Sequence, residues 1–263
     1  MGDCETEGKS EQRYRMTIAY DGSAFHGWQK QKATCGDPDV IPVRTVASVV
    51  EHALVQVLKQ PVEVVGASRT DAGVHAQGQV AHFDAASRVP EDRLAAAINS
   101  RLPDDVEVLN VEPAQPDFNA IRSAVCKQYR YRIFNSAHRP LGLRHLVWHC
   151  WRTLDPERMQ EAATRLAGRH DYRGFSAADQ KRATTVRTIF SCEVACDDPE
   201  LQIIVQGDGF LYHMVRVIAG TLVEVGRGRF APEVIDRILA SQDRSLAGPT
   251  LPASGLCLEW INY

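Results

Sequence analysis

Segments with strand and helix periodicity follow one another along this chain in a single order, β-α-β-β-α-β, and the chain then runs through that order again. Arg13 to Tyr20 sets Tyr14, Met16, Ile18 and Tyr20 on one face and Arg15, Thr17 and Ala19 on the other, the period of two that a half-buried strand requires. Arg44 to Lys59 instead repeats apolar residues at Val46, Val49, Val50, Ala53, Leu54, Val57 and Leu58, a helical spacing that Pro61 ends. A strand over Val62 to Ala67, a polar loop and a second strand over Val74 to Phe83 follow. Glu91 to Leu102 reads as a short helix with acids in its first turn, stopped by Pro103, and Val106 to Val111 returns as a strand.

The second pass begins with a strand over Lys127 to Phe134. A helix comes next, capped by Asp155, opened by Pro156 and closed by Gly168. Strands over Thr184 to Ala195 and Leu201 to Gln206 are joined by the turn DDPE, and Leu211 to Val225 is a helix ending at Gly226. An extra helix, Pro232 to Ser241, precedes a closing strand over Leu256 to Ile261. A split β-α-β unit places both helices on one face of an antiparallel sheet, so two in succession predict an α+β protein of two ferredoxin-like βαββαβ halves. The expected divisions are a tail at 1–12, a first half at 13–117 and a second at 118–263.

Charge is distributed unevenly between these halves. Although the formal total is -3, Ile121 to Phe190 holds fourteen Lys and Arg against five Asp and Glu, a local +9, which leaves -12 for the rest. Within that span Lys127-Gln-Tyr-Arg-Tyr-Arg132 interleaves cations with aromatics, a mixture suited to holding phosphates and stacking on bases, although a solvated basic face has the same composition. No run of 18 apolar residues occurs and the first residues lack the pattern of a signal peptide, so no membrane association and a cytoplasmic location are expected. The seven cysteines form no C-x-x-C pair, which predicts reduced thiols and no structural zinc. His75 and His82, an odd number apart, fall on opposite faces of a regular strand, and Trp148 and Trp151 mark His145, His149 and Cys150 as part of a packed strand or loop; no metal site is expected at either.

The loop after the apolar run Val62 to Val65 reads GASRTDAGVHAQGQ and carries one acid, Asp71, between Gly66 and Gly73 and beside Arg69. An aspartate there serves turn chemistry or catalysis. A neighbouring guanidinium favours the ionised form of a carboxylate, which a nucleophile or base needs and which ordinary ion pairs also use. No P-loop, dinucleotide fingerprint or G-x-S-x-G elbow accompanies it.

Five blocks in order, YDGSAFHGWQKQ (20–31), GASRTDAGVHAQGQVAHF (66–83), KQYRYRIF (127–134), HDYRGFSA (170–177) and GFLYHMVRVIAGTLVEVG (209–226), resemble TruA-type tRNA pseudouridine synthases from about residue 13 to the C-terminus. The resemblance implies isomerisation of uridine to pseudouridine at positions 38, 39 and 40 of tRNA, in the anticodon stem-loop. It also implies two ferredoxin-like halves sharing a mainly antiparallel sheet with the active-site cleft between them, no cofactor, and a homodimer. By this resemblance Asp71 is the catalytic aspartate, acting at the ribose C1′ or in departure of the base. Tyr129 packs against the target base and takes part in removing the C5 proton, Arg216 pairs with the catalytic acid, and Arg69 intrudes as the base flips. Lys127, Arg130, Arg132 and Leu211 are the further expected contacts to the substrate RNA.

Two departures stand out. Where the family reads FHARFSA, this chain has FNAIRSA (118–124), with Asn119 and Ile121 in place of His and Arg and with Arg122 introduced; residues 32–42 form an insertion. Tandem RNA-recognition motifs share the element order, but VHAQGQVAHF does not supply the aromatic-rich strand they need. A small-molecule enzyme on the same scaffold fits poorly with the local +9.

Overall fold

The computed structural model describes residues 11–30, 43–177 and 184–263; the 32–42 insertion and most of the expected tail lie outside the described residues. Strand β1 (Gln12–Tyr20) follows the alternation of its side chains, with Tyr14, Met16, Ile18 and Tyr20 buried and the residues between them half-buried. After it, α1 (Val46–Leu58) starts at Thr45, whose hydroxyl accepts from the Ser48 amide while the Ser48 hydroxyl accepts from the Thr45 amide. Strand β2 comprises only Val65–Gly66, shorter than the expected 62–67, because the Val64 amide donates to Glu51 Oε1 of α1 at 3.0 Å rather than to the sheet. Then come β3 (His75–Ala85), α2 (Glu91–Asn99) with Glu91 and Asp92 at its positive end, and β4 (Val106–Pro113).

The remaining elements are β5 (Cys126–Asn135), β6 (Trp148–Cys150), α3 (Pro156–Thr164), β7 (Gly168–Asp171), β8 (Val186–Asp197), β9 (Glu200–Gly207), α4 (Met214–Gly226), α5 (Val234–Ser241) and β10 (Leu256–Asn262). Gly168 was expected to close α3; with φ 121° it instead opens β7, after the helix has already stopped. Helix α4 begins three residues later than its apolar pattern suggests. His213, at φ 61°, is left-handed and interrupts helical geometry before Met214.

The ten strands among the described residues join one sheet along the path β4-β1-β3-β10-β5-β9-β8-β7, with β2 attached to β3 and β6 to β5. Pairing is antiparallel except for β10 with β3 and β5 with β6, so the protein is α+β with a mostly antiparallel sheet. The last strand therefore lies between β3 and β5 and joins the strands of residues 12–113 to those of 126–207. That seam is close: a Cβ on Gly78 of β3 would lie 2.5 Å from the Glu259 carbonyl oxygen. Helix α4 is almost wholly buried, and Glu224 within it is neutralised by Arg227 at 2.8 Å and Arg229 at 2.9 Å. No helix among the described residues is long and apolar enough to cross a membrane.

The linear charge segregation is partly undone in three dimensions. Arg130 pairs with Glu259, Arg132 with Glu200, and Arg165 with Asp236, each acid coming from the negative remainder of the chain.

Candidate active site

The loop carrying Asp71 is held from both sides. Ala67 N donates to Val80 O, and the buried Gln79 clamps Ser68 by accepting from its amide at 3.2 Å and donating to its carbonyl at 2.6 Å. Thr70 shares a 2.8 Å hydroxyl hydrogen bond with Tyr20, and its carbonyl accepts from Trp28 N. Gly73 N donates to Phe25 O. The YDGSAFHGWQ block is thus a buttress: Gly27, at φ 89°, approaches so closely that a Cβ there would sit 2.6 Å from the Thr70 oxygen.

The start of α4 supplies the partners of this carboxylate. Arg216 Nη1 lies 3.2 Å from Asp71 Oδ2, and its Nε donates to Leu251 O at 2.7 Å, so the guanidinium is anchored at two points. His213 Nε2 stands 3.4 Å from the same carboxylate oxygen. Burial lowers the His213 pKa and Asp71 opposes that shift, while Arg216 and Arg244 add to it. All three side chains are largely shielded, at 22% exposure for Asp71, 15% for Arg216 and 20% for His213.

Asp71 and His213 line a cavity of about 680 Å³. Tyr129 of β5 forms one wall, with its hydroxyl 2.9 Å from Ser68 Oγ and its ring edge-on to Phe210 at 5.2 Å. Burial pushes the Tyr129 phenol up to about 12; the Ser68 hydrogen bond opposes this and the Asp71 charge adds to it.

Asp71, Tyr129, Arg69, Lys127 and Leu211, all singled out from the sequence, line this one cavity, and Arg216 stands behind it in contact with Asp71. The cation beside Asp71 is Arg216 of α4; its sequence neighbour Arg69 is exposed. Lys127 is buried and donates to Ala67 O at 2.7 Å, tying β5 to the aspartate loop. Arg130 and Arg132 do not line the cavity, because alternation along β5 turns them away from Lys127 and Tyr129, toward Glu259 and Glu200. The strand thus parts Arg130 and Arg132 from Tyr129 and Tyr131, while Lys127 stays on the tyrosine face. Ile121, from the FNAIRSA departure, is half-exposed at 50% and lines the cavity, while Asn119 accepts from the Ile121 and Arg122 amides. His75, His82 and His149 each bond to main-chain groups. His213 escaped sequence reasoning; its i, i+3 spacing from Arg216 at a helix start was the available signal.

A carboxylate held by a guanidinium, walled by an aromatic side chain and largely withdrawn from water, defines an enzyme site suited to nucleophilic or acid–base chemistry on a bound ring. A family model described as tRNA pseudouridine synthase matches residues 16–121 and 162–263. The chain belongs to that family, isomerases that act on tRNA. It is 44% identical over 252 residues to tRNA pseudouridine synthase A of Ruminiclostridium cellulolyticum, covering 95% of this chain and 99% of that protein. It is also 43% identical over 249 residues to the protein of that name in Moorella thermoacetica, covering 95% and 98%. With tRNA pseudouridine synthase A 2 of Clostridium perfringens it shares 41% over 250 residues, covering 95% and 98%.

Proposed function

We propose that this chain isomerises uridine to pseudouridine at positions 38, 39 and 40, in the anticodon stem-loop of tRNA, using Asp71 on a flipped-out base. The observation that carries the reading is the contact of Arg216 with Asp71 Oδ2, on a carboxylate that lines the same cavity as Tyr129. A uridine in a stem cannot reach a loop carboxylate, so it must be extruded at a cost of a few kcal/mol. At about 680 Å³, the cavity falls within the roughly 300–1,000 Å³ of sites that enclose small ligands. Asp71 acts at C1′, Arg216 pairs with its carboxylate and aims it, and Tyr129 packs against the uracil. Arg69, exposed yet lining the cavity, is placed to enter the stem as the base leaves it. Lys127 and Leu211 shape the floor of the cavity, while Arg130 and Arg132 would meet RNA only by releasing their carboxylates.

The same reading takes 13–117 and 118–263 as two ferredoxin-like units, and the protein as a cytoplasmic homodimer, on the strength of the element order and the family resemblance. The test is Asp71→Asn. Pseudouridine formation on an anticodon stem-loop transcript should vanish while tRNA binding persists; undiminished activity of the variant would remove the claim.

A further inference from the structure

Tyr212 has no part in the reading above. It is half-exposed, at 52%, and of the exposed large apolar side chains among the described residues it and Ile121 are the two that line the cavity. A single exposed ring is ordinary on a protein surface. This one, however, is held in place. Its carbonyl accepts from Ser176 Oγ at 3.1 Å and from Ala177 N at 3.2 Å, which ties it to the end of the HDYRGFSA block. Met214 N donates to Leu211 O at 3.1 Å, closing a turn around Tyr212 and His213. Within that turn His213 is left-handed, at φ 61°, a backbone that a non-glycine residue adopts only under compensation. The Tyr212 ring lies against that of His213, 3.8 Å between centroids and 25° from parallel.

Two aromatic surfaces therefore serve the cavity at different depths. Tyr129 is buried, at 6% exposure, and offers its ring only to a group that has entered. Tyr212 stands at the rim, one ring beyond His213, whose Nε2 is 3.4 Å from Asp71 Oδ2. A group on Tyr212 is thus near the reacting carboxylate but not at it. Extruding a uridine breaks its stacking on both sides, so the base next to it on the same strand loses a neighbour as the target enters the cavity. A flat aromatic face beside the entrance replaces that neighbour, and it accepts any base because every base has a π-face.

We propose that Tyr212 is a stacking platform for the nucleobase that flanks the extruded uridine, an assignment that rests on the pseudouridine reading of the site. His213 backs the ring and limits its rotation, so the platform is set before RNA arrives. Stacking there lowers the cost of holding the stem open, while Tyr129 receives the target base itself.

The test follows single-turnover pseudouridine formation on an anticodon stem-loop, read as the second-order rate constant below saturation so that both binding and extrusion count. Tyr212→Ala and Tyr212→Leu remove the ring, and Tyr212→Phe keeps it. The first two should be slower by about 5- to 150-fold, the range of one base–aromatic stack. The phenylalanine variant should stay within a factor of about 3 of the native protein. The same proteins are then given stem-loops that lack the base 5′ or 3′ of the target uridine. On one of these RNAs the alanine and leucine defects should shrink to within about 3-fold, because the stacking partner is already gone. Native rates for both ring-less variants, a phenylalanine variant as slow as alanine, or a defect of the same size on the intact and both abasic RNAs overturns the assignment while leaving Asp71 in its role. Absence of pseudouridine formation by the native protein on the intact stem-loop would instead overturn both.

Discussion

Arg216→Gln tests the electrostatic centre of the site. At 3.2 Å and an effective dielectric of about 20, the Coulomb attraction between Arg216 and Asp71 is about 5 kcal/mol. Both groups keep some contact with water, at 15% and 22% exposure, and removing the guanidinium also removes its own desolvation cost. Roughly half the gross figure, about 2–3 kcal/mol, should therefore appear in the barrier, or about 30- to 150-fold in rate. On the proposed mechanism the loss falls on rate, because Arg216 orients the carboxylate that reacts. Glutamine also leaves the Leu251 carbonyl without the 2.7 Å bond from Nε. Arg216→Lys retains the charge but as a single point, unable to span Asp71 and Leu251, so it should fall between the two. The assay is kcat/KM for pseudouridine formation on an anticodon stem-loop. A glutamine variant within a factor of about 3 of the native protein, less than 1 kcal/mol, would refute the reasoning.

Gly27→Ala should cost about 1–2 kcal/mol of stability from the left-handed backbone, and by pushing the Thr70 carbonyl it should lower activity more than thermal unfolding alone explains. Comparing turnover well below the unfolding temperature with the melting curve separates the two effects. Arg132 holds the Glu200 carboxyl below its ordinary value of 4.5, chiefly through their hydrogen bonds. Stability from this pair is accordingly complete above 4.5 and is lost as pH falls through the depressed value. Glu200→Gln should therefore lower Tm at neutral pH and reduce the further drop in Tm on acidification; an unchanged acid response would contradict this assignment of the shift.

Most elements were legible from the chain because each was specified by its own side chains. The alternation in RYRMTIAY, the apolar stripe of α1 and the Asp155-Pro156 start of α3 are local signals, and the structure keeps them. Strands β6 and β7 were not legible: three and four residues long, they exist only because β5 and β8 lie alongside. The end of β2 was missed for a related reason, since a carboxylate from α1 takes the Val64 amide.

Within the site, sequence by itself determined which acid sits in a turn between two strands, and family likeness marked Arg216, Tyr129 and Lys127. The resemblance had paired Arg216 with the acid; only the tertiary structure decided that this contact, between residues 145 apart, is made at 3.2 Å, that Arg130 and Arg132 face elsewhere, and that His213 approaches the same carboxylate. Backbone propensity acts over a few neighbouring residues, whereas charge pairing and burial act through space, and β10 had to close the seam between β3 and β5 before those distances existed.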